Sequence, residues 1–114
     1  MVDEMSESTE EEDVVAEDKI EDPGENYNFM KDLWFSMIDE EVRTLQKVLN
    51  KLGFKLASEG AGSPGNETNY FGSRTKNALI KFQEAHADKI LNPIGLVNGT
   101  GHFGEMTRKF INSL

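Results

Sequence analysis

The chain of 114 residues has room for one compact domain, and its formal net charge of −9 is unevenly spread. Residues 1–26 hold 12 acidic side chains against Lys19 alone, whereas the other 88 residues hold 11 basic and 9 acidic ones, a balance of +2. A folded part so close to neutral argues against a nucleic-acid partner, which calls for a strongly basic face, and the absence of cysteine excludes disulfides and thiolate metal sites.

From Met1 to Asn26 the sequence is dominated by Asp, Glu and Ser, with an unbroken acidic block from Glu10 to Asp13 and Pro23-Gly24 at its close. Such a stretch has too little apolar surface to offset the entropy of ordering. Residues 1–27 are therefore expected to be a disordered acidic tail or linker, and residues 28–114 the folded domain. Nothing in the acidic spacing matches a calcium loop. No run approaches the roughly 18 to 20 apolar residues of a membrane-spanning helix. The acidic N-terminus is also unlike a secretory signal, which is basic and then apolar.

Phe29, Leu33, Trp34, Phe35 and Met37 form a dense apolar arm, expected to pack against the helices that follow. Trp34 has an alternative as an exposed platform for a sugar ring. The first helix is predicted from Asp39 to Leu52, because Val42, Leu45, Val48, Leu49 and Leu52 recur at three- and four-residue steps. Gly53 can take the left-handed conformation that ends it. Ser58 to Asn66, with three glycines and Pro64, reads as a loop. A second helix opens with Ser73 as its N-cap, presents Ala78, Leu79, Phe82 and Ala85 on its apolar face, and ends near Ala87. Ile90, Leu91, Ile94, Leu96 and Val97 are expected to pin an ordered loop. The third helix follows Gly104, with Met106, Phe110, Ile111 and Leu114 on its inner side. The fold class is thus all-α, a compact three-helix bundle with long ordered loops, and Phe71, Phe82, Phe103 and Phe110 are assigned to its core.

One motif occurs twice. Thr68-Asn69-Tyr70-Phe71-Gly72-Ser73-Arg74-Thr75-Lys76 aligns with Thr100-Gly101-His102-Phe103-Gly104-Glu105-Met106-Thr107-Arg108, matching Thr, Phe, Gly, Thr and a base at a separation of 32 residues. Each copy reads as an anchored aromatic, a glycine that frees the backbone for a tight turn, and a helix start. The Thr hydroxyl four residues after the Phe is expected to reach free backbone groups of the first turn.

Val42-x-x-Leu45-Gln46 with Gly53-Phe54, the Phe71 motif, Ala78-x-x-x-Phe82-Gln83 and the Phe103 motif together resemble the peptidoglycan-binding domain family over about Phe29 to Leu114. The resemblance implies a non-catalytic, bacterial three-helix module that tethers a larger protein to peptidoglycan, outside the cytoplasm at the cell wall or surface, needing no cofactor and acting as a monomer. It also implies that this chain is a segment of a longer protein with Met1 added for expression, since no signal peptide is present. Many members carry Asp three residues before the motif Phe, where this chain has Thr68 and Thr100, and the loop Ser58 to Thr68 is longer than in compact members. The alternative is a structural or protein-interaction domain on the same scaffold without glycan affinity.

A muropeptide presents hydroxyls, acetamido groups and carboxylates, so its site should combine neutral hydrogen-bonding groups with a cation. Asn66, Thr68, Asn69, Tyr70, Arg74 and Thr75 provide such a set beside a helix N-terminus. Arg74 is the expected anion contact. Asn66, Thr68 and Asn69 could equally satisfy the loop's own backbone, and Gln83 could be a polar contact or a structural hydrogen bond. Catalysis finds little support: His86 and His102 are the only histidines, no metal-binding or nucleophile-elbow motif is present, and Glu67, Glu84 and Glu105 have no deep cleft to share.

Overall fold

In the computed structural model the described residues are 27–114, and the acidic tail expected over residues 1–27 lies outside them except for Tyr27, which is buried in the core. Among the described residues the elements are α1 (Glu40–Lys51), α2 (Ser73–Ala85), α3 (Ala87–Ile90) and α4 (Glu105–Asn112), with a 3-10 turn at Asn92–Ile94 and no strand beyond two isolated β-bridges. The three long helices are those the periodicity predicts, and the chain is all-α. The single-turn α3 and the 3-10 turn occupy a stretch expected to be loop.

α1 begins where Asp39, in extended conformation, accepts the Glu41 amide on its carboxylate at 2.8 Å. Lys31 donates to the same carboxylate at 2.8 Å, and these two hydrogen bonds hold Asp39 below its ordinary value while Asp39 raises Lys31. The linkage has opposite signs for the two groups. The Asp39 contribution is present above the ordinary carboxylate range and is lost as the pH falls through it; that of Lys31 is lost only as the pH rises past the ordinary lysine range. Glu40 and Glu105 are likewise lowered, first by hydrogen bonds from Arg43 and Lys109 respectively. Asp39→Asn, which keeps a capping oxygen, should therefore make the loss of stability between pH 7 and pH 3 shallower without abolishing it. Urea titrations at both pH values check this, and added salt should shrink the difference because these pairs face water.

Val42, Leu45, Val48 and Leu49 on α1 are fully buried against Ala78, Leu79 and Phe82 of α2, Phe71 and Phe103 of the two motifs, and Ile111 of α4. At roughly 1.5 to 3 kcal/mol for each fully buried large side chain, this cluster is the main source of stability. Phe82 sits at its centre, edge-on to Phe54 at 5.5 Å, with His86 and Phe110 closing around it. Phe110 is only half-buried but packs on the same cluster.

Several apolar assignments need correction. Leu52 is 40% exposed, because α1 stops at Lys51 and Gly53, at φ 97°, turns the chain so that Phe54 takes the core position instead. Ala85 is exposed because α2 ends there, and Leu114 because it lies beyond α4. Ile90 and Leu91 are buried anchors, whereas Ile94, Leu96 and Val97 face solvent: once α3 has turned Ile90 and Leu91 inward, the following turn carries the next side chains outward. Trp34 does not pack inside as expected but is half-exposed, as is Phe35.

The arm is nevertheless tightly held. The side-chain amide of Asn112 accepts the Phe29 amide at 2.8 Å and donates to the Phe29 carbonyl at 3.1 Å. Leu33 exchanges both backbone hydrogen bonds with Phe103 at 2.9 and 3.0 Å, and Ile38 pairs with Tyr70. The arm thus runs from the second motif to the first and clips them together.

Candidate functional site

The two motif copies are held by two glutamines that occupy equivalent places. Gln46 on α1 is buried, accepts the Thr68 amide at 2.7 Å, and donates to the Tyr70 carbonyl at 3.0 Å and the Thr75 hydroxyl at 2.8 Å. Gln83 on α2 accepts the Thr100 and Gly101 amides at 2.9 and 3.0 Å, and donates to the His102 carbonyl at 2.9 Å and the Thr107 hydroxyl at 3.1 Å. The chain therefore contains two units with the same bonding pattern, α1–loop–α2 and α2 to α4, with α2 serving both. Gln46 to Thr75 is 29 residues and Gln83 to Thr107 is 24, so the first unit has five more residues in its loop.

This geometry corrects two expectations about the motif. The hydroxyls of Thr75 and Thr107 do not serve backbone groups of their own helix; they are buried partners of the glutamines. Nor do Gly72 and Gly104 use a conformation that only glycine adopts. Both are extended N-caps near φ −100°, and no side chain caps α2 or α4, so Ser73 is the first residue of α2 rather than its cap. What the glycines leave is room for a ring. A Cβ on Gly72 would meet the Tyr70 ring at 2.9 Å, and one on Gly104 the His102 ring at 3.1 Å. Each motif lays the ring two residues before its glycine across the helix start.

Thr68 and Thr100 make the same local turn, each hydroxyl accepting the amide two residues on, from Tyr70 at 3.3 Å and His102 at 3.0 Å. An Asp carboxylate would accept that bond equally well. Threonine thus preserves the turn at the position where the family resemblance implies Asp.

Beside Gln46 lies a cavity of about 220 Å³ whose lining includes Thr68, Tyr70, Arg74 and Thr75 together with Ala61 and Gly62 of the long loop. Arg74 is the only charged side chain in that lining, and it donates to the Ala61 carbonyl at 2.9 Å, which holds the guanidinium over the cavity rim. Asn66 and Asn69 stand outside. Asn66 donates to the Ser63 hydroxyl at 2.9 Å within the loop, and Asn69 reaches the Glu40 carboxylate at 3.3 Å. Of the six residues singled out in the sequence, four come together and two serve the surrounding structure.

The long loop is kept in place by Asn50, which sequence reasoning did not single out. It is buried, donates to the Gly62 carbonyl at 3.0 Å and to Glu67 at 2.9 Å, and accepts the Leu56 amide at 3.1 Å. Arg43 adds a 2.7 Å bond to the Glu67 carbonyl. Gln46 was also missed as an organising residue. Its signal is present, since Leu45-Gln46 and Phe82-Gln83 each precede one motif copy.

A second cavity of about 170 Å³ occupies the equivalent place beside Gln83, lined by Thr100, His102, Glu105, Met106 and Thr107 with Ile90, Leu91 and Ile94. Met106 stands where the first has Arg74, and Glu105 where it has Ser73, so the anion-attracting character belongs to the first cavity alone.

A scan against protein families matches residues 39–87 to the peptidoglycan binding domain family. Those 49 of the 114 residues are similar to this family. The match covers Asp39, α1, the first cavity and α2, and the second motif with α4 continues beyond it. No curated protein and no solved structure matches the chain. Among the described residues, no group of His, Asp or Glu side chains is placed to hold a metal ion, and no helix is long and apolar enough to cross a membrane.

Proposed function

We propose that the domain is a non-catalytic module that anchors a larger protein to the bacterial cell wall, and that the Arg74 cavity receives a carboxylate-bearing part of the wall peptide. The observation that supports this most is the coincidence of the family match with a cavity built by the motif itself and carrying one cation. Thr68 and Tyr70 offer neutral hydrogen-bonding groups there, while the uncapped amino end of α2, beginning at Ser73, favours negative charge. Arg74 can give a carboxylate paired, charge-assisted hydrogen bonds, worth about 1.5 to 3 kcal/mol.

Purified protein should co-sediment with bacterial sacculi. Arg74→Ala combined with Tyr70→Ala should weaken that binding by about tenfold or more, with little change in melting temperature because both side chains are exposed. A folded protein that pellets no more than a control at moderate salt would overturn the proposal and favour a protein-interaction role for the scaffold.

A further inference from the structure

Trp34 is the largest apolar side chain in the protein and its sole tryptophan, yet it is 49% exposed. Its exposure follows from the backbone. The Met37 amide donates to the Trp34 carbonyl at 3.1 Å, closing a four-residue turn whose third residue, Ser36, has φ 77°. That position normally takes glycine, and Ser36 is the one non-glycine residue with positive φ among those described. A left-handed serine costs on the order of 1 kcal/mol, and the turn is held against that cost by the Ser36 amide, which donates to the Phe71 carbonyl at 2.7 Å, and by the Leu33–Phe103 pairing. The consequence is that Trp34 and Phe35 are both turned away from the core.

The Trp34 ring is also oriented. It runs nearly parallel to the His102 ring, with planes 9° apart and centroids 6.4 Å apart. His102 is in turn fixed at its backbone, by Gln83 through its carbonyl and Thr100 through its amide. Polar groups stand next to this stack: Asp32 lies 3.6 Å from His102 Nε2 and is bound by Arg108.

A half-exposed indole, set parallel to an imidazole and bordered by planar hydrogen-bonding groups, suits a pyranose ring, whose axial C–H groups make an apolar face and whose hydroxyls and acetamido groups lie at its edge. We propose that the Trp34 turn is a glycan platform, separate from the Arg74 cavity, that stacks an N-acetylhexosamine unit of the polysaccharide strand. The identity of the polymer rests on the peptidoglycan reading above; the ring chemistry rests on the turn.

The single tryptophan makes the test direct. Titrating the full chain with the tetramer of N-acetylglucosamine, which has neither peptide nor carboxylate, should give a saturable change in Trp34 emission. In sacculus co-sedimentation Trp34→Ala should lose about tenfold in affinity, as expected for truncation of an aromatic anchor, whereas Trp34→Phe should stay within about threefold. Unchanged emission at saturating tetramer together with unchanged co-sedimentation of Trp34→Ala overturns the platform. It leaves the Arg74 cavity standing, because that site is read from Arg74→Ala with Tyr70→Ala. Conversely, a tetramer response with no sacculus dependence on Arg74 supports the platform and removes the cavity. Should Trp34→Ala unfold, the emission titration of the unmodified protein decides by itself.

Discussion

Gln83→Leu is expected to destabilise the protein by about 3 to 4 kcal/mol, and Gln46→Leu by about 2 to 3 kcal/mol. Leucine fills nearly the same volume, so the loss comes from groups left without partners rather than from a cavity. In Gln83→Leu these are the amides of Thr100 and Gly101, the His102 carbonyl and the Thr107 hydroxyl. Each buried group left unsatisfied costs about 1 to 3 kcal/mol, and the sum is reduced where water can reach the site. The equivalent partners are about as open in both units, but Gln83 holds one more, the buried Gly101 amide, which ranks Gln83 above Gln46. For a domain of this size the drop corresponds to roughly 10 to 30 °C in melting temperature, readable by calorimetry. Gln83→Glu separates hydrogen bonding from packing. The neutral acid can both accept and donate, while the carboxylate would face the His102 carbonyl, so burial raises the pKa of the new side chain in the folded state. Its contribution is then present at low pH and lost as the pH rises through that raised value. The gap in stability from the unmodified protein should accordingly be smaller at pH 4 than at pH 7. A gap that does not depend on pH would mean that Gln83 acts by shape alone.

Phe103→Ala is expected to cost about 3 to 5 kcal/mol, the range for removing a fully buried phenyl ring. Phe103 is 0% exposed, meets Phe29 edge-on at 4.9 Å, and carries the backbone pair that docks Leu33. Its truncation should loosen the arm before the helices. Amide exchange should show protection lost first at Leu33 and Phe103, whose N–H groups make the bridge, and later at α1 and α2. Phe103→Leu should retain the bridge and cost less. Equal loss of protection throughout the domain would show instead that arm and bundle unfold as one unit.

The helices were legible in the sequence because their signal is local. Val42, Leu45, Val48 and Leu49 repeat with the period of one helical face, and Asp39 supplies a capping oxygen directly before the first turn. The duplication was legible as well, from Phe71-Gly72 and Phe103-Gly104 at a fixed spacing. Edges were less so. Leu52, Ala85 and Leu114 continue the apolar period of their helices, and nothing local reveals that the helix or the core has ended before them. The candidate site was half legible. Thr68, Tyr70, Arg74 and Thr75 lie close in sequence and meet at the cavity, but Asn66 and Asn69 lie equally close and do not. Proximity along a loop does not say which side of the loop a residue faces.

By itself the sequence determined the all-α class, the places of the three long helices and the repeated motif, since helical period, capping and glycine spacing are properties of neighbouring residues. Only the tertiary structure decided what the motif is for. Gln46 reaches Thr75 across 29 residues, and Phe29 meets Asn112 across 83. Those pairings turn two similar strings into two units that share α2, place a ring over each motif glycine, and hold Trp34 outside the core. Hydrogen bonds over such separations depend on how the helices pack, and packing is set by every buried side chain at once.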